Sequence, residues 1–455
     1  MSTPSASSRV PLRTILLFSL ATIPVGALTT PLLVNLPKHY ASLLGLPLAT
    51  VGLIFAAVKI LDIFIDPAVG MAMDRTRTRI GRYRVWLLSS APLLMLGTYM
   101  LFFAEKGVGG TYLFFWLVVM YLGFSILVLS QSAWGAVLAV DYNERSKVYA
   151  AGSVTGVLGG IAVLVVPLAL MLTGAASVKM MGWLILAAVP ITTLLVVVGT
   201  PERQHAVTPI SHRMSLKEFP SLIAHPAMRR LLTADLLFTL GPAITSPLYL
   251  YFMQQARGYT EAEAFLMLIF FSIAGLFGAP IWAIIAYRLG KHRTLMLAAV
   301  LYAIAQGTLP LLPPDSFMLM APGMFLAGAI LSSFAFLVRA MVADVSDEIR
   351  LQTGKDRIGM LYSLVTSTAK IGSALAVAIA FPLLGALGFR AEDGAVNAPE
   401  ALNGLTLIYT VPPVLLVLLA ALAVRGYSID ARRHAEIRVD LDVMDAKAAA
   451  ATGTV

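Results

Sequence analysis

Lys59, Asp62 and Asp66 stand out in a chain that otherwise keeps charge away from its apolar stretches. They fall within one such stretch at i, i+3 and i+7. At about 100° per residue, that spacing places all three on one face of a helix. The two carboxylates are then about 6 Å apart along the axis. Acids this close do not readily both stay charged in a dry site, so one holds a proton or the pair shares a cation. Pro67 follows directly and has no N–H to give the Ile63 carbonyl, which leaves that oxygen available beside the acids. Two carboxylates and a carbonyl make a site for a small cation. The competing reading is an ion pair between Lys59 and Asp62 that only joins helices. Three charges on one buried face are costly for that purpose alone.

Three more ionisable residues lie in apolar surroundings. Lys370, in Thr366-Ser367-Thr368-Ala369-Lys370, is deep enough to act as a counter-charge to the acids; the alternative is a lysine that snorkels to the surface. Asp235 and Arg339 lie nearer the ends of their stretches and read as structural.

These groups need helices in lipid to position them. The chain has 455 residues, 58% hydrophobic and 13% charged, and a mean hydropathy of +0.84. A water-soluble domain carries nearer a quarter charged residues, so the excess apolar surface requires a bilayer. A hydrocarbon core of about 30 Å needs about 20 apolar residues per helix. Twelve runs satisfy this: 13–36, 47–73, 84–104, 110–138, 148–174, 178–200, 228–255, 261–288, 293–312, 317–345, 358–386 and 402–425.

The net charge of +9 does not indicate nucleic acid, because the basic residues sit in short loops between the runs. Twenty-five of the 33 Lys and Arg fall on the side of the two termini, and five on the other. Such asymmetry predicts both termini in the cytoplasm of a multi-pass protein in the bacterial inner membrane. The expected organisation is a disordered N-terminus at 1–12, a six-helix bundle at 13–200 and a cytoplasmic linker at 201–227. A second six-helix bundle at 228–425 and a cytoplasmic tail at 426–455 follow.

No cysteine is present, which excludes disulfides, thiolate metal sites and a cysteine nucleophile. None of the six histidines has a metal-ligand neighbour at i+3 or i+4, so no metal site and no cofactor are expected. No nucleophile set or phosphate loop marks an enzyme. Gly152, Gly156 and Gly160, spaced by four, read as a close helix-packing stripe.

The chain resembles the glycoside–pentoside–hexuronide:cation symporters of the major facilitator superfamily, the group of the melibiose permease. The resemblance rests on Asn35-Leu-Pro-Lys-His-Tyr40 with Leu44-Gly45-Leu46, and on Asp62-Ile-Phe-Ile-Asp66-Pro67 through Asp74-Arg75 to Gly81-Arg82-Tyr-Arg84-Val-Trp86. It continues in Trp134-Gly135-Ala136 with Asp141-Tyr142-Asn143-Glu144-Arg145, in Ala343-Asp344 through Lys370-Ile-Gly372, and in Tyr427 to Ile437. It implies an all-α membrane protein with twelve transmembrane helices in two six-helix bundles, the major facilitator fold. It also implies uptake of a small organic solute by alternating access, driven by H⁺ or Na⁺, with the protein as a monomer.

By motif, Asp62 and Asp66 match the family's cation-binding acids and Lys370 its helix XI lysine. Trp134 matches the aromatic that packs on the sugar. Lys59, Ser130 and Gln131 are further candidates for solute binding or coupling. Asp74, Arg75, Arg82, Asp141 and Arg145 are the candidate gating-loop residues. Melibiose-type members have acids where this chain has Gly26 and Ser130, and an arginine at about Gly152. A galactoside would lose charged partners there, in part replaced by Gln131. The alternatives are a lysolipid or other amphiphile as solute, a proton-driven exporter, and a non-transporting receptor on the same scaffold. For the ion, Ile65 and about Leu127 stand where the family has an asparagine and a threonine, so neither supplies a side-chain oxygen. Sodium wants several oxygens. With Ile63, Phe64 and Ile65 as an apolar wall, a proton is expected over sodium.

Overall fold

A computed structural model describes residues 10–139, 142–202, 219–314, 316–355 and 357–452. Twelve helices are long and apolar enough to cross a membrane. They are α1 (Leu12–Leu43), α2 (Leu48–Arg75), α3 (Arg82–Phe102), α4 (Gly110–Leu138), α5 (Lys147–Ala169) and α6 (Gly174–Gly199). After them come α7 (Pro226–Ala256), α8 (Glu261–Leu289), α9 (Lys291–Leu311), α10 (Phe317–Thr353), α11 (Ile358–Ala386) and α12 (Pro399–Val424). A six-residue helix, Phe219–Ala224, precedes α7. A final helix, α13 (Ala431–Thr452), is polar on average and follows the last span. No strand occurs among the described residues.

The chain therefore is an all-α, multi-pass membrane protein. A helix satisfies its backbone hydrogen bonds internally, which lipid requires. Large apolar side chains that are exposed, such as Leu53, Phe64, Phe277 and Leu415, are those a bilayer would cover. Part of the expected linker, 203–218, lies outside the described residues, as do 1–9 of the expected N-terminal segment.

The described chain packs as two compact units. The first gathers the described part of Met1–Pro209 with Ser246–Ser272 and Val377–Ile408. Its helices approach closely where side chains are small. A Cβ at Gly26 would sit 1.7 Å from the Gly156 oxygen, and one at Gly159 2.2 Å from the Ile23 oxygen. The α1–α5 contact is thus backbone on backbone, reinforced by Thr22 Oγ1 donating to the Gly152 oxygen at 2.7 Å. Gly152, Gly156 and Gly160 of the expected stripe lie in this seam, and Gly159, one residue off that spacing, adds a second close contact. In the same unit Gly52 of α2 meets Phe381 and Pro382 of α11, and Tyr251 of α7 bonds Ser42 at 2.9 Å.

Three helical turns in this unit are π-type: Pro31–Asn35, His39–Leu43 and Phe252–Ala256. They end α1 and α7, the first helix of each sequence half. The second unit has a core of buried residues from α7 to α13, among them Phe238, Tyr302, Phe334 and Leu361. α13 adds Ile437 and Leu441 to it. It is held by His434 to Asp347 at 3.0 Å and Arg350 to Asp445 at 2.7 Å. Lys291 joins Asp344 at 2.6 Å. Tyr427, just before α13, donates to the Met341 oxygen at 3.1 Å, and burial pushes its phenol up.

Candidate functional site

α2 carries the three spaced charges on its buried side. Lys59 is 7% exposed and Asp62 6%. Asp66, one turn on, is half-buried. Pro67 lies inside the helix, so the Ile63 carbonyl has no donor from that position. Lys59 lies within electrostatic reach of Asp62. Beyond the proline the last turns of α2 pack on α4: Val69 and Met73 share a cluster with Ile126, flanked by Ile65, Trp86 and Leu122.

A hydroxyl completes the pair's surroundings. Ser125 of α4 donates to Asp62 Oδ1 at 2.5 Å, and both groups are buried. The expectation that the site's protein oxygens are the two carboxylates and the Ile63 carbonyl is therefore extended by one hydroxyl. Leu127 is buried as an apolar residue, and the hydroxyl comes from two positions earlier. Two residues turn a helix by about 200°, so an offset of two selects the opposite face. The apolar wall is also thinner than expected. Phe64 is 70% exposed and faces away from the acids, whereas Ile65 packs in the Val69 cluster.

Further along α4, Ser130 is buried and donates to the Leu127 carbonyl at 3.0 Å. Gln131 is buried beside α5: a Cβ at Gly152 would lie 3.8 Å from its Nε2. Trp134 is fully buried. Phe18 of α1 meets it edge-on at 5.7 Å, and the Arg84 guanidinium lies 5.9 Å from its ring centroid. Its Nε1 has no hydrogen-bond partner. In this conformation the ring is packed between helices. Gly26, where melibiose-type members carry an acid, is pressed against Gly156 and has no room for a side chain.

The loop between α2 and α3 is tied down at both ends. Arg82 pairs with Asp74, and its Nε donates to the Met73 oxygen at 2.8 Å. Arg75 is exposed. The Glu202 carboxylate takes the backbone N–H groups of Arg82, Tyr83 and Arg84 at 2.6, 2.9 and 3.2 Å. It caps the positive end of α3. Gly81 makes the turn at φ +124, and a Cβ there would lie 2.2 Å from Glu202 Oε2. Asp141 and the side chain of Arg145, expected in the second loop, lie outside the described residues.

In the second unit, Lys370 is half-buried on α11. Two residues away, Thr368 donates to the buried Asp235 of α7 at 2.6 Å. Asp235 and Arg339 interact electrostatically.

The sequence matches the MFS/sugar transport protein family over residues 17–431. The chain belongs to that family. Among relatives, an uncharacterized symporter of Bacillus subtilis (strain 168) is 24% identical, covering 89% of each chain. The isoprimeverose transporter of Lactiplantibacillus pentosus is 24% identical over 86% of this chain and 83% of that one. A putative glycoside/cation symporter of Escherichia coli (strain K12) is 21% identical over 84% of each. Solved structures agree on the fold. A D-xylose-proton symporter has a TM-score of 0.63 at 16% identity, covering 91% of this chain and 97% of that one. The nucleoside transporter NupG has a TM-score of 0.65 at 15% identity, covering 92% and 99%.

As a member of the MFS/sugar transport family, the chain is a transporter of the glycoside–pentoside–hexuronide:cation symporter type, and the resemblance read from its motifs is met. Within that frame, the structure brings Lys59, Asp62 and Ser125 together, with Asp66 on the same helix. It assigns Lys370 to the other unit. Ser125 and Glu202 are the two residues that reading the sequence missed. Neither lies in a motif; the only signal for Ser125 was a hydroxyl in an apolar helix.

Proposed function

We propose that the chain is a proton-coupled symporter that brings a neutral sugar or glycoside into the bacterial cytoplasm by alternating access, as a monomer with both termini cytoplasmic. The observation that carries it is the buried Asp62, held by Ser125 at 2.5 Å beside Lys59 and one turn from Asp66. A charge cluster of this kind inside a membrane helix marks an ion path. The sugar is supported by the isoprimeverose and glycoside carriers among the relatives. Neutrality is supported by Gly152, which stands at about the place of the melibiose-type arginine and leaves no cation there for an acidic sugar.

For the ion, the oxygens of Asp62 already have a donor in Ser125 and a cation nearby in Lys59. Sodium would need several of these oxygens free, whereas a proton needs a single carboxylate. A hydroxyl oxygen is also a sodium ligand, which is why the test includes sodium.

The test is sugar-induced alkalinisation outside energised cells, in sodium-free and sodium-containing buffer. Proton uptake that follows the sugar without sodium is the expected outcome. Sodium-dependent uptake with no proton movement overturns the proton and leaves the symporter. No sugar-driven ion movement in either buffer overturns the symporter.

A further inference from the structure

The first unit contains a cavity of about 200 Å³ at the end away from α1's start. Asn35, Lys38, His39, Ser42, Gln254 and Glu261 line it. It is far from the α2 acids in sequence, and none of them lines it.

Two features mark it as more than a packing gap. The first is backbone geometry. Asn35 ends one π-type turn, His39 and Ser42 lie in the next, and Gln254 lies in the third. A π-type turn adds a residue to the ring and re-aims side chains, and it occurs mostly at functional sites. α1 and α7 start the two sequence halves, and both are reshaped here. The second is unmet hydrogen bonding. Asn35 is 3% exposed and its Oδ1 has no partner; His39 is 2% exposed and neither ring nitrogen has one. Buried polar atoms left unpaired are costly, and native proteins keep few of them.

The unmet atoms specify the ligand's chemistry. Asn35 Oδ1 needs a donor, and a neutral imidazole offers one donor and one acceptor. A hydroxyl supplies both roles. An anion would leave Asn35 Oδ1 unmet and would face Glu261. Lys38 already supplies the cation that the two lining carboxylates, Glu261 and Asp393, attract, and it donates to Gln254 within the same cavity. The volume is below the ~300–1,000 Å³ of pockets for drug-sized ligands, so it suits a single ring.

We propose that this cavity is a second, outer solute site that takes a neutral polyhydroxylated ligand the size of one sugar ring, bound through Asn35 and His39. This rests on the reading of the chain as a sugar or glycoside carrier. It adds a recognition step separate from the charged helix.

The test uses full-length protein in nanodiscs, titrated with methyl β-D-glucopyranoside and methyl β-D-xylopyranoside by saturation-transfer NMR. Carriage of the same probes is followed by counterflow in proteoliposomes. Asn35→Leu and His39→Leu should each weaken binding about threefold or more, the cost of a lost hydrogen bond. His39→Gln, which keeps a donor and an acceptor, should stay within about twofold of the parent. Two positions keep the test alive if one variant does not fold, judged by its melting temperature. Unchanged binding in folded leucine variants means that the cavity holds water alone and overturns the inference. If the probes are still carried in that case, the carrier reading stands. Failure of the parent protein both to bind and to carry either probe overturns the two together.

Discussion

At Asp62, Ser125 turns a motif into a geometry. The carboxylate is buried, hydrogen-bonded and near a lysine. Neutralising either acid should uncouple transport. Asp62→Asn and Asp66→Asn are expected to abolish accumulation against a gradient yet spare exchange of solute down its own gradient. Radiolabelled uptake and counterflow separate the two, and accumulation by either variant would remove that acid from the coupling path. Ser125→Ala removes one donor to a charged group, worth about 1.5–3 kcal/mol. Coupled uptake should fall about tenfold with protein levels unchanged; parental rates would leave Ser125 a packing residue. Lys370 is half-buried on α11, and its proposed role is to balance the α2 acids when no cation is bound. Lys370→Ala should impair gradient-driven uptake while expression holds, and normal uptake would end the counter-charge idea.

Among the elements, α1 and α5 are joined by glycines and α3 is capped from a distance. A Cβ at Gly26 would collide with the Gly156 oxygen at 1.7 Å. Restoring the acid of the melibiose-type members by Gly26→Asp should therefore cost stability rather than confer galactoside transport. Its melting temperature by fluorescence-detected size exclusion should drop sharply, and an unchanged value would show that the helices can part. Glu202 accepts three backbone N–H groups at the start of α3. Glu202→Ala should destabilise the protein by about 1–2 kcal/mol, the scale of a lost helix cap. The loop conformation held by Arg82 and Asp74 should loosen with it, read as faster proteolysis between Thr76 and Gly81.

For the whole molecule, hydropathy dictates twelve spans, and the asymmetry of the basic residues supports the direction proposed for them. Reporter fusions after Gly174 and after His212 should report opposite sides of the membrane, the second cytoplasmic. Signals from one side would break the proposed 6+6 arrangement. The spans were legible to within a few residues, because about 20 apolar residues in a row have no other stable home. α1 and α10 are the main exceptions: α10 runs on to Thr353, past the expected end at 345, and α1 runs on to Leu43, past the expected end near 36, through two π-type turns that keep Lys38 and His39 helical. Periodicity counts residues but cannot show that a polar segment stays wound by packing on other helices.

By itself the sequence determined the lipid environment, the number of spans, the family and the charged face of α2. The family comes from the resemblance of its motifs; the rest follow from local composition and spacing, which are properties of a single helix and its solvent. Which hydroxyl meets Asp62, which carboxylate caps α3 and that Gly26 has no room for an acid were decided only by tertiary structure. Each is a contact between residues 63, 120 and 130 positions apart in the chain. Rotation about a helix axis decides such contacts: a step of one residue swings a side chain by about 100°, and only a neighbouring helix fixes the angle. The same reason hid the cavity at Asn35 and His39. Asn35 to Tyr40 read in sequence only as a stretch of the family resemblance, and no spacing shows that these residues and Phe252–Ala256 wind into π-type turns.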